Sequence, residues 1–174
     1  MGDNMNKFLP HIYETSIYTV DYNRLYNNNI KVVLFDLDNT IIPANETLIT
    51  DEIKELFSNI KKLGLKPIIF SNSPKRRIKK VADILDIDFV YLAFKPLSFK
   101  FKRLIKKLNL KPSNVAIIGD QLLTDIKGGN KVGIKTILIN PISDYDSFLT
   151  KFNRVKEKKI LSKLDINRSY YEEM

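Results

Sequence analysis

Cysteine is absent from all 174 residues. That excludes a disulfide framework and any thiolate metal site. Histidine occurs once, as His11, too few for an imidazole metal centre, and no role is read for it. No run of roughly 18 apolar residues is present, which excludes a helical membrane span. The N-terminal stretch lacks an apolar core behind a basic start, so no secretory signal is expected and a cytoplasmic location is the default. Gly128-Gly129-Asn130-Lys131 does not have P-loop spacing, and no dinucleotide-binding glycine pattern occurs. Acidic residues are few: 20 Asp and Glu against 29 Lys and Arg, a net charge of +9. Such a balance favours anionic partners, whether nucleic acid, anionic lipid or phosphorylated substrates. Lysine (23) far outnumbers arginine (6), so genome composition is a competing source of that charge.

What is present suits one soluble domain, with 44% hydrophobic and 28% charged residues. Strand-like and helix-like runs alternate. Strands are expected at Lys31–Phe35, Pro67–Phe70, Phe89–Ala93, Val115–Ile118 and Thr136–Ile139. Asp51–Leu63 carries a helical apolar stripe stopped by Gly64. Ser73 and Pro74 read as cap and first position of a helix bearing Ile78, Val81, Ala82 and Leu85. Ser98–Leu108 reads as a basic helix, and Leu122–Lys131 as a helix closed near Gly128-Gly129. This alternation implies an α/β fold with a central parallel sheet covered on both faces, its ligands at the carboxyl ends of the strands. The core is expected at about residues 30–142. An aromatic N-terminal segment, 1–29, with a possible helix over Asp21–Tyr26, and a basic helix, 145–164, with Phe148, Phe152, Val155 and Ile160 apolar, are expected to pack on it. The last ten residues read as frayed.

Four polar clusters fall at strand ends: Asp36, Asp38 and Thr40; Ser71-Asn72; Lys95-Pro96; and Gly119-Asp120, with Asp125 one turn on. Two carboxylates two residues apart at a strand mouth repel one another and resist desolvation. A hard divalent cation such as Mg²⁺ relieves both costs. The set offers coherent chemistry toward phosphorus. Asp36 can attack in line. Asp38 can protonate the leaving oxygen and then take a proton from water. Asp120 completes a metal site with Asp36. Thr40, Ser71 and the backbone near Asn72 can hold phosphoryl oxygens, and Lys95 can meet the spreading negative charge. Asp125 reads either as a metal ligand or as a support for Asp120 and Lys95. Lys75, Arg76 and Arg77 occupy a helix first turn, where the dipole disfavours cations. A substrate phosphate or anionic surface would reverse that preference; a solvated basic face is the plain alternative.

The order Asp-x-Asp-x-Thr, Ser-Asn, Lys-Pro, Gly-Asp resembles the four motifs of the haloacid-dehalogenase-like (HAD) phosphohydrolase superfamily. Gly119 through Asn130, Asn140-Pro141-Ile142 and Thr150 through Arg154 resemble the YqeG-type branch of its subfamily IIIA. That branch is similar to the phosphatidylglycerophosphate phosphatases of mitochondria, plastids and cyanobacteria. The match runs from about Ile12 to Leu161. The resemblance implies a three-layer Rossmann-like fold, an aspartyl-phosphate mechanism, Mg²⁺ dependence, and Asp36, Asp38 and Asp120 as metal ligands, Asp38 through its main-chain carbonyl.

Spacing adds a separate argument. Ser71 comes 35 positions after Asp36, and Lys95 another 24 after Ser71. Each interval holds one helix and one strand, which leaves no room for a large inserted cap. An open site suits a lipid surface or another macromolecule, unless a short loop or second subunit covers it. A second basic block, Lys100 to Lys111, lies in a stretch without acids from Pro96 through Gly119. Phe8, Tyr13, Tyr18, Tyr22 and Tyr26 suit either a core or a lipid interface. Three readings follow: a phosphomonoesterase on phosphatidylglycerophosphate, placed in the cytoplasm or peripherally on the inner face of the membrane; the same chemistry on a soluble ester or phosphoprotein; or a basic RNA- or ribosome-binding module.

Overall fold

A computed structural model gives the architecture and describes residues 6–143, 145 and 148–164, without the side chains of 148–152 and 154. The expected apolar positions Phe148 and Phe152 and the expected frayed tail lie outside the described side chains and residues.

Six parallel strands form one sheet: β1 (Ile12–Glu14), β2 (Val32–Phe35), β3 (Lys66–Phe70), β4 (Asp88–Val90), β5 (Val115–Gly119) and β6 (Lys135–Ile139). Their spatial order is β1-β6-β5-β2-β3-β4. The chain moves outward from β2 through β3 to β4, then returns to the opposite side of β2 as β5. The crevice where strand order reverses lies at the carboxyl ends of β2 and β5, the expected ligand position in such sheets.

The strands are short apolar runs because both faces are covered. In β2, Val33 and Phe35 join the core beneath α2 (Asp51–Lys62) and α3 (Lys75–Leu85), with Phe57 and Val81. Val32 and Leu34 point to the other face, against Phe101 and Ile105 of α4 (Phe99–Lys107). Each fully buried side chain of this kind contributes roughly 1.5–3 kcal/mol. The helix α2 begins where Thr50 Oγ1 accepts from the Ile53 N–H at 3.3 Å, with Asp51 and Glu52 in its first turn and Lys61 and Lys62 in its last. Gly64, at φ 90°, lets the chain leave it, as expected.

Three expectations are corrected. The strand β1 is short and half-buried, too brief for an alternation signal. It pairs with β6 through the register Ile12 to Ile137. Leu122–Lys131 is not one helix: a π-helical turn, Leu122–Ile126, leads into α5 (Lys127–Val132). Its end is at Gly133, not at Gly128-Gly129. Those two glycines are buried inside α5 because a Cβ would meet Phe101 and Pro96 at one and Thr136 and Ile117 at the other. Ser73 does not cap α3; Pro74 occupies the cap position, and the Ser73 hydroxyl is used elsewhere.

The N-terminal aromatics divide. Phe8 and Tyr22 are buried, with Tyr22 in α1 (Tyr22–Asn27), whereas Tyr18 and Tyr26 are exposed. The last helix, α6 (Phe148–Leu164), reaches the π-helical turn. Ile160 packs beside Leu122, Ile126 and Leu138, and the buried Glu157 accepts from the Leu123 N–H at 2.9 Å. No helix among the described residues is long and apolar enough to cross a membrane.

Candidate active site

Pairing of β2 with β5 brings two carboxylates together. Phe35 is in register with Ile118, and the Asp36 N–H donates to the Ile118 carbonyl at 3.0 Å. Asp36 and Asp120 therefore leave adjacent strand tips, 4% and 3% exposed. Asp125 arrives from the π-helical turn, fully buried. Carboxylate oxygens of Asp36, Asp120 and Asp125 all lie within 4.8 Å of one another. Lys95 is buried against two of them, its Nζ 2.7 Å from Asp36 Oδ1 and 2.5 Å from Asp125 Oδ1.

Burial pushes the Asp125 carboxyl up, Lys95 opposes that, and the nearby Asp36 adds to it; the direction is upward. Burial acts on the Lys95 ammonium in the opposite sense, but Asp125 and Asp36 outweigh it, and its pKa lies above the ordinary lysine range. Three ionised carboxylates against one ammonium leave two negative charges in a buried space. A divalent cation with a preference for oxygen ligands balances that charge, so the donor set fits Mg²⁺.

Asp38 is oriented differently. The Ser73 hydroxyl donates to its Oδ2, and Arg77 reaches Oδ1 through Nε at 2.7 Å and Nη2 at 2.6 Å. Arg77 Nη2 also donates to the Pro43 carbonyl at 3.1 Å. Burial raises the Asp38 pKa, Ser73 opposes, Asp36 adds, and Arg77 opposes; the net direction is upward, which suits a group that must hold and release a proton.

The remaining expected residues fall into two groups. Thr40 is buried and donates to Asp120 Oδ1 at 3.2 Å, so it orients that carboxylate. Ser71, also buried, accepts from the Ser73 N–H at 3.3 Å and retains its own hydroxyl proton to donate. Asn72 grips the backbone of Lys95: its Oδ1 accepts from the Lys95 N–H at 2.8 Å and its Nδ2 donates to the Lys95 carbonyl at 3.1 Å. Lys75 and Arg76 stay on the exposed first turn of α3, outside the buried cluster, with the Lys75 ammonium 5.8 Å from the Tyr91 ring centre.

Sequence reasoning missed two positioning residues. Asn39 holds a left-handed backbone, φ 60°; its Nδ2 donates to the Tyr145 carbonyl at 2.9 Å and its Oδ1 accepts from Ser143 Oγ at 2.8 Å. This pins the turn that separates Asp38 from Thr40. Its place inside Asp-x-Asp-Asn-Thr was a usable signal, because asparagine is among the few non-glycine residues that tolerate this conformation. Glu157 gave no local signal, since its partner Leu123 lies 34 positions away.

A family model described as haloacid dehalogenase-like hydrolase matches residues 42–133, which include Ser71, Lys95 and Asp120. The chain is 40% identical over 157 residues to the probable phosphatase YqeG of Bacillus subtilis (strain 168), covering 90% of this chain and 91% of that one. The chain belongs to the haloacid dehalogenase-like hydrolases. This hydrolase is also 25% identical over 144 residues to phosphatidylglycerophosphate phosphatase 1, chloroplastic/mitochondrial, of Arabidopsis thaliana, over 78% of this chain and 41% of that one. Among solved structures, the 3-deoxy-D-manno-octulosonate 8-phosphate phosphatase of Moraxella catarrhalis, in complex with magnesium ion, phosphate ion and KDO, superposes with a TM-score of 0.53. It shares 20% identity and covers 80% of this hydrolase and 91% of that chain, a likeness of fold.

Proposed function

We propose that this hydrolase is a Mg²⁺-dependent phosphomonoesterase that works through an aspartyl-phosphate and acts on phosphatidylglycerophosphate, releasing phosphatidylglycerol. The observation that carries the chemistry is the meeting of Asp36, Asp120, Asp125 and Lys95 at the strand-order reversal, with Asp38 held beside them by Arg77 and Ser73.

Asp36 Oδ attacks phosphorus in line, the bond to the ester oxygen breaks, and Asp38 gives that oxygen its proton. Asp38, now ionised, takes a proton from a water molecule. That water attacks the phosphorus of the phospho-aspartate, inorganic phosphate leaves, and Asp36 is regenerated. Lys95 sits where its charge opposes the negative charge growing on the phosphoryl oxygens, and Ser71 donates to one of them. Asp36, Asp120 and Asp125 would hold Mg²⁺, with the Asp38 main-chain carbonyl as a further ligand. When bound, the ion neutralises charge on the phosphoryl group and aligns it.

Three observations support the lipid substrate: the net charge of +9, the similarity to the Arabidopsis protein across 78% of this chain, and the absence of an inserted cap domain among the described residues. The test is a phosphate-release screen over phosphatidylglycerophosphate in mixed micelles and a set of soluble esters, with Asp36→Asn as control. Mg²⁺-dependent release from the micelles, lost in Asp36→Asn, is expected. Turnover of soluble esters with none on the micelles moves the substrate into solution. Salt-sensitive RNA binding that survives Asp36→Asn, with no ester turned over, replaces the enzyme by a binding module.

A further inference from the structure

The loop from Tyr91 to Phe99, between β4 and α4, holds large apolar side chains out in solvent. Tyr91, Leu92, Phe94, Leu97 and Phe99 are 39–53% exposed. Five such residues in nine positions make a contiguous patch, and patches of that kind mark interaction sites. The cause is local. The Leu92 N–H donates to the Ser73 carbonyl at 3.2 Å, and the Ala93 N–H to the Ser71 carbonyl at 2.9 Å. With the grip of Asn72 on Lys95, this turns Ala93 and Lys95 inward and Leu92 and Phe94 outward. Leu92 and Phe94 take left-handed backbone, φ 45° and 53°, which costs any residue with a Cβ and persists where the surroundings enforce it. The segment that delivers Lys95 to the buried carboxylates thus also presents an apolar surface beside them.

The rim of the patch is basic. Lys100 Nζ lies 5.4 Å from the Tyr91 ring centre and 5.1 Å from that of Phe94, and Lys75 flanks Tyr91 from α3. No acidic residue occurs from Phe89 through Gly119, nor from Ser71 through Ala82. A groove of about 640 Å³ between β4 and α4 continues the surface, sharing Tyr91 and Lys100 and adding Leu104, Arg103 and Lys107, with the ion pair of Lys66 and Asp88 also in its lining.

We propose that this loop seats the enzyme on an anionic phospholipid bilayer. Leu92, Phe94, Leu97 and Phe99 enter the boundary between headgroups and acyl chains, and Lys75, Arg76 and Lys100 lie against lipid phosphates. The excess of basic residues at the rim, where the one acid lining the groove, Asp88, is paired with Lys66, selects this occupant over a second copy of the chain, whose own charge of +9 would oppose it. Seated this way, a lipid headgroup meets Asp36 without leaving the membrane. The proposal rests on the lipid reading above.

The test measures co-sedimentation of the full chain with vesicles of equal parts phosphatidylglycerol and phosphatidylcholine, and with phosphatidylcholine alone. Wild type binds the anionic vesicles, less so in high salt. Leu97→Ser/Phe99→Ser reduces that binding about tenfold or more, with turnover of p-nitrophenyl phosphate unchanged. Lys100→Glu, at a half-buried position, weakens binding to the anionic vesicles alone. Wild-type binding retained in both variants overturns the proposal. So does failure of the wild type to sediment, or a concentration-dependent dimer that Leu97→Ser/Phe99→Ser abolishes in the absence of vesicle binding. Turnover of phosphatidylglycerophosphate dispersed in detergent, without a bilayer, is assayed separately; its failure in wild type overturns the substrate and not the bilayer contact.

Discussion

The Asp125 carboxylate occupies the space in which Gly119 has no side chain. A Cβ at position 119 would stand 2.3 Å from Asp125 Cγ and 2.4 Å from its Oδ2. Gly119→Ala must therefore push Asp125 away from Lys95 and from the other two carboxylates. A displacement of that order costs about 100-fold in kcat, because the groups act only when aligned. Steady-state kinetics alongside a far-ultraviolet circular dichroism spectrum separates this from unfolding; kcat unchanged in Gly119→Ala would show that Asp125 has no part in aligning the site.

Lys95→Met removes the only cation placed among the buried carboxylates of Asp36 and Asp125 among the described residues. Breaking a buried pair from one side costs about 3–5 kcal/mol. The expected result is a lower urea midpoint with an unchanged slope, together with loss of turnover. A variant as stable as wild type would mean that both carboxylates protonate at no cost.

The excess of negative charge in the cluster makes the folded state sensitive to divalent cations. Added Mg²⁺ at about 100 times its Kd is expected to stabilise the protein by about 2.7 kcal/mol, a rise of about 5–11 °C in Tm. Asp120→Asn removes one ligand and should flatten the response. Differential scanning fluorimetry with and without a chelator reads both; an equal shift in Asp120→Asn would place the ion elsewhere.

His11 predicts an acid-sensitive seam at the sheet edge. Its Nδ1 accepts from the Thr136 N–H at 3.1 Å, and its backbone N–H donates to the Thr136 carbonyl at 2.9 Å, fastening the start of β1 to β6. Burial, then the positive charge of Lys135, holds its pKa below the ordinary histidine value. The unfolded chain therefore binds a proton first as pH falls. Stability is complete above the unfolded value of about 6.5 and declines as pH drops from there through the lower folded value. Urea midpoints between about pH 7.5 and 5 should fall in wild type and change less in His11→Gln over the same interval. Parallel slopes in the two proteins would assign the acid loss to other groups.

Most of the sheet was legible because buried parallel strands are short apolar runs, and Val32–Phe35 and Val115–Gly119 are unambiguous examples. The expected members of the buried cluster, Asp36, Lys95, Asp120 and Asp125, were legible from their order along the chain and meet in space. What escaped depends on partners distant in sequence. The strand β1 exists because Thr136 gives His11 somewhere to bond, not because Ile12–Glu14 has a strong pattern of its own. Gly128 and Gly129 look like a helix end until Thr136 and Phe101 are seen pressing on them. Asn72 and Thr40, expected at the phosphate, have side chains that bond the Lys95 backbone and Asp120, contacts that spacing alone does not reveal.

The order of the strands has a consequence for how the catalyst comes into being. Asp120 follows Asp36 by 84 positions, yet the two stand on neighbouring strands, because β5 inserts beside β2 after β3 and β4 have been laid down on its other side. During synthesis Asp36, the nucleophile we propose, is made early. Only when β5 has cleared the ribosome and taken its place can the acidic cluster close, so an unfinished chain carries Asp36 without Asp120 and Asp125 beside it.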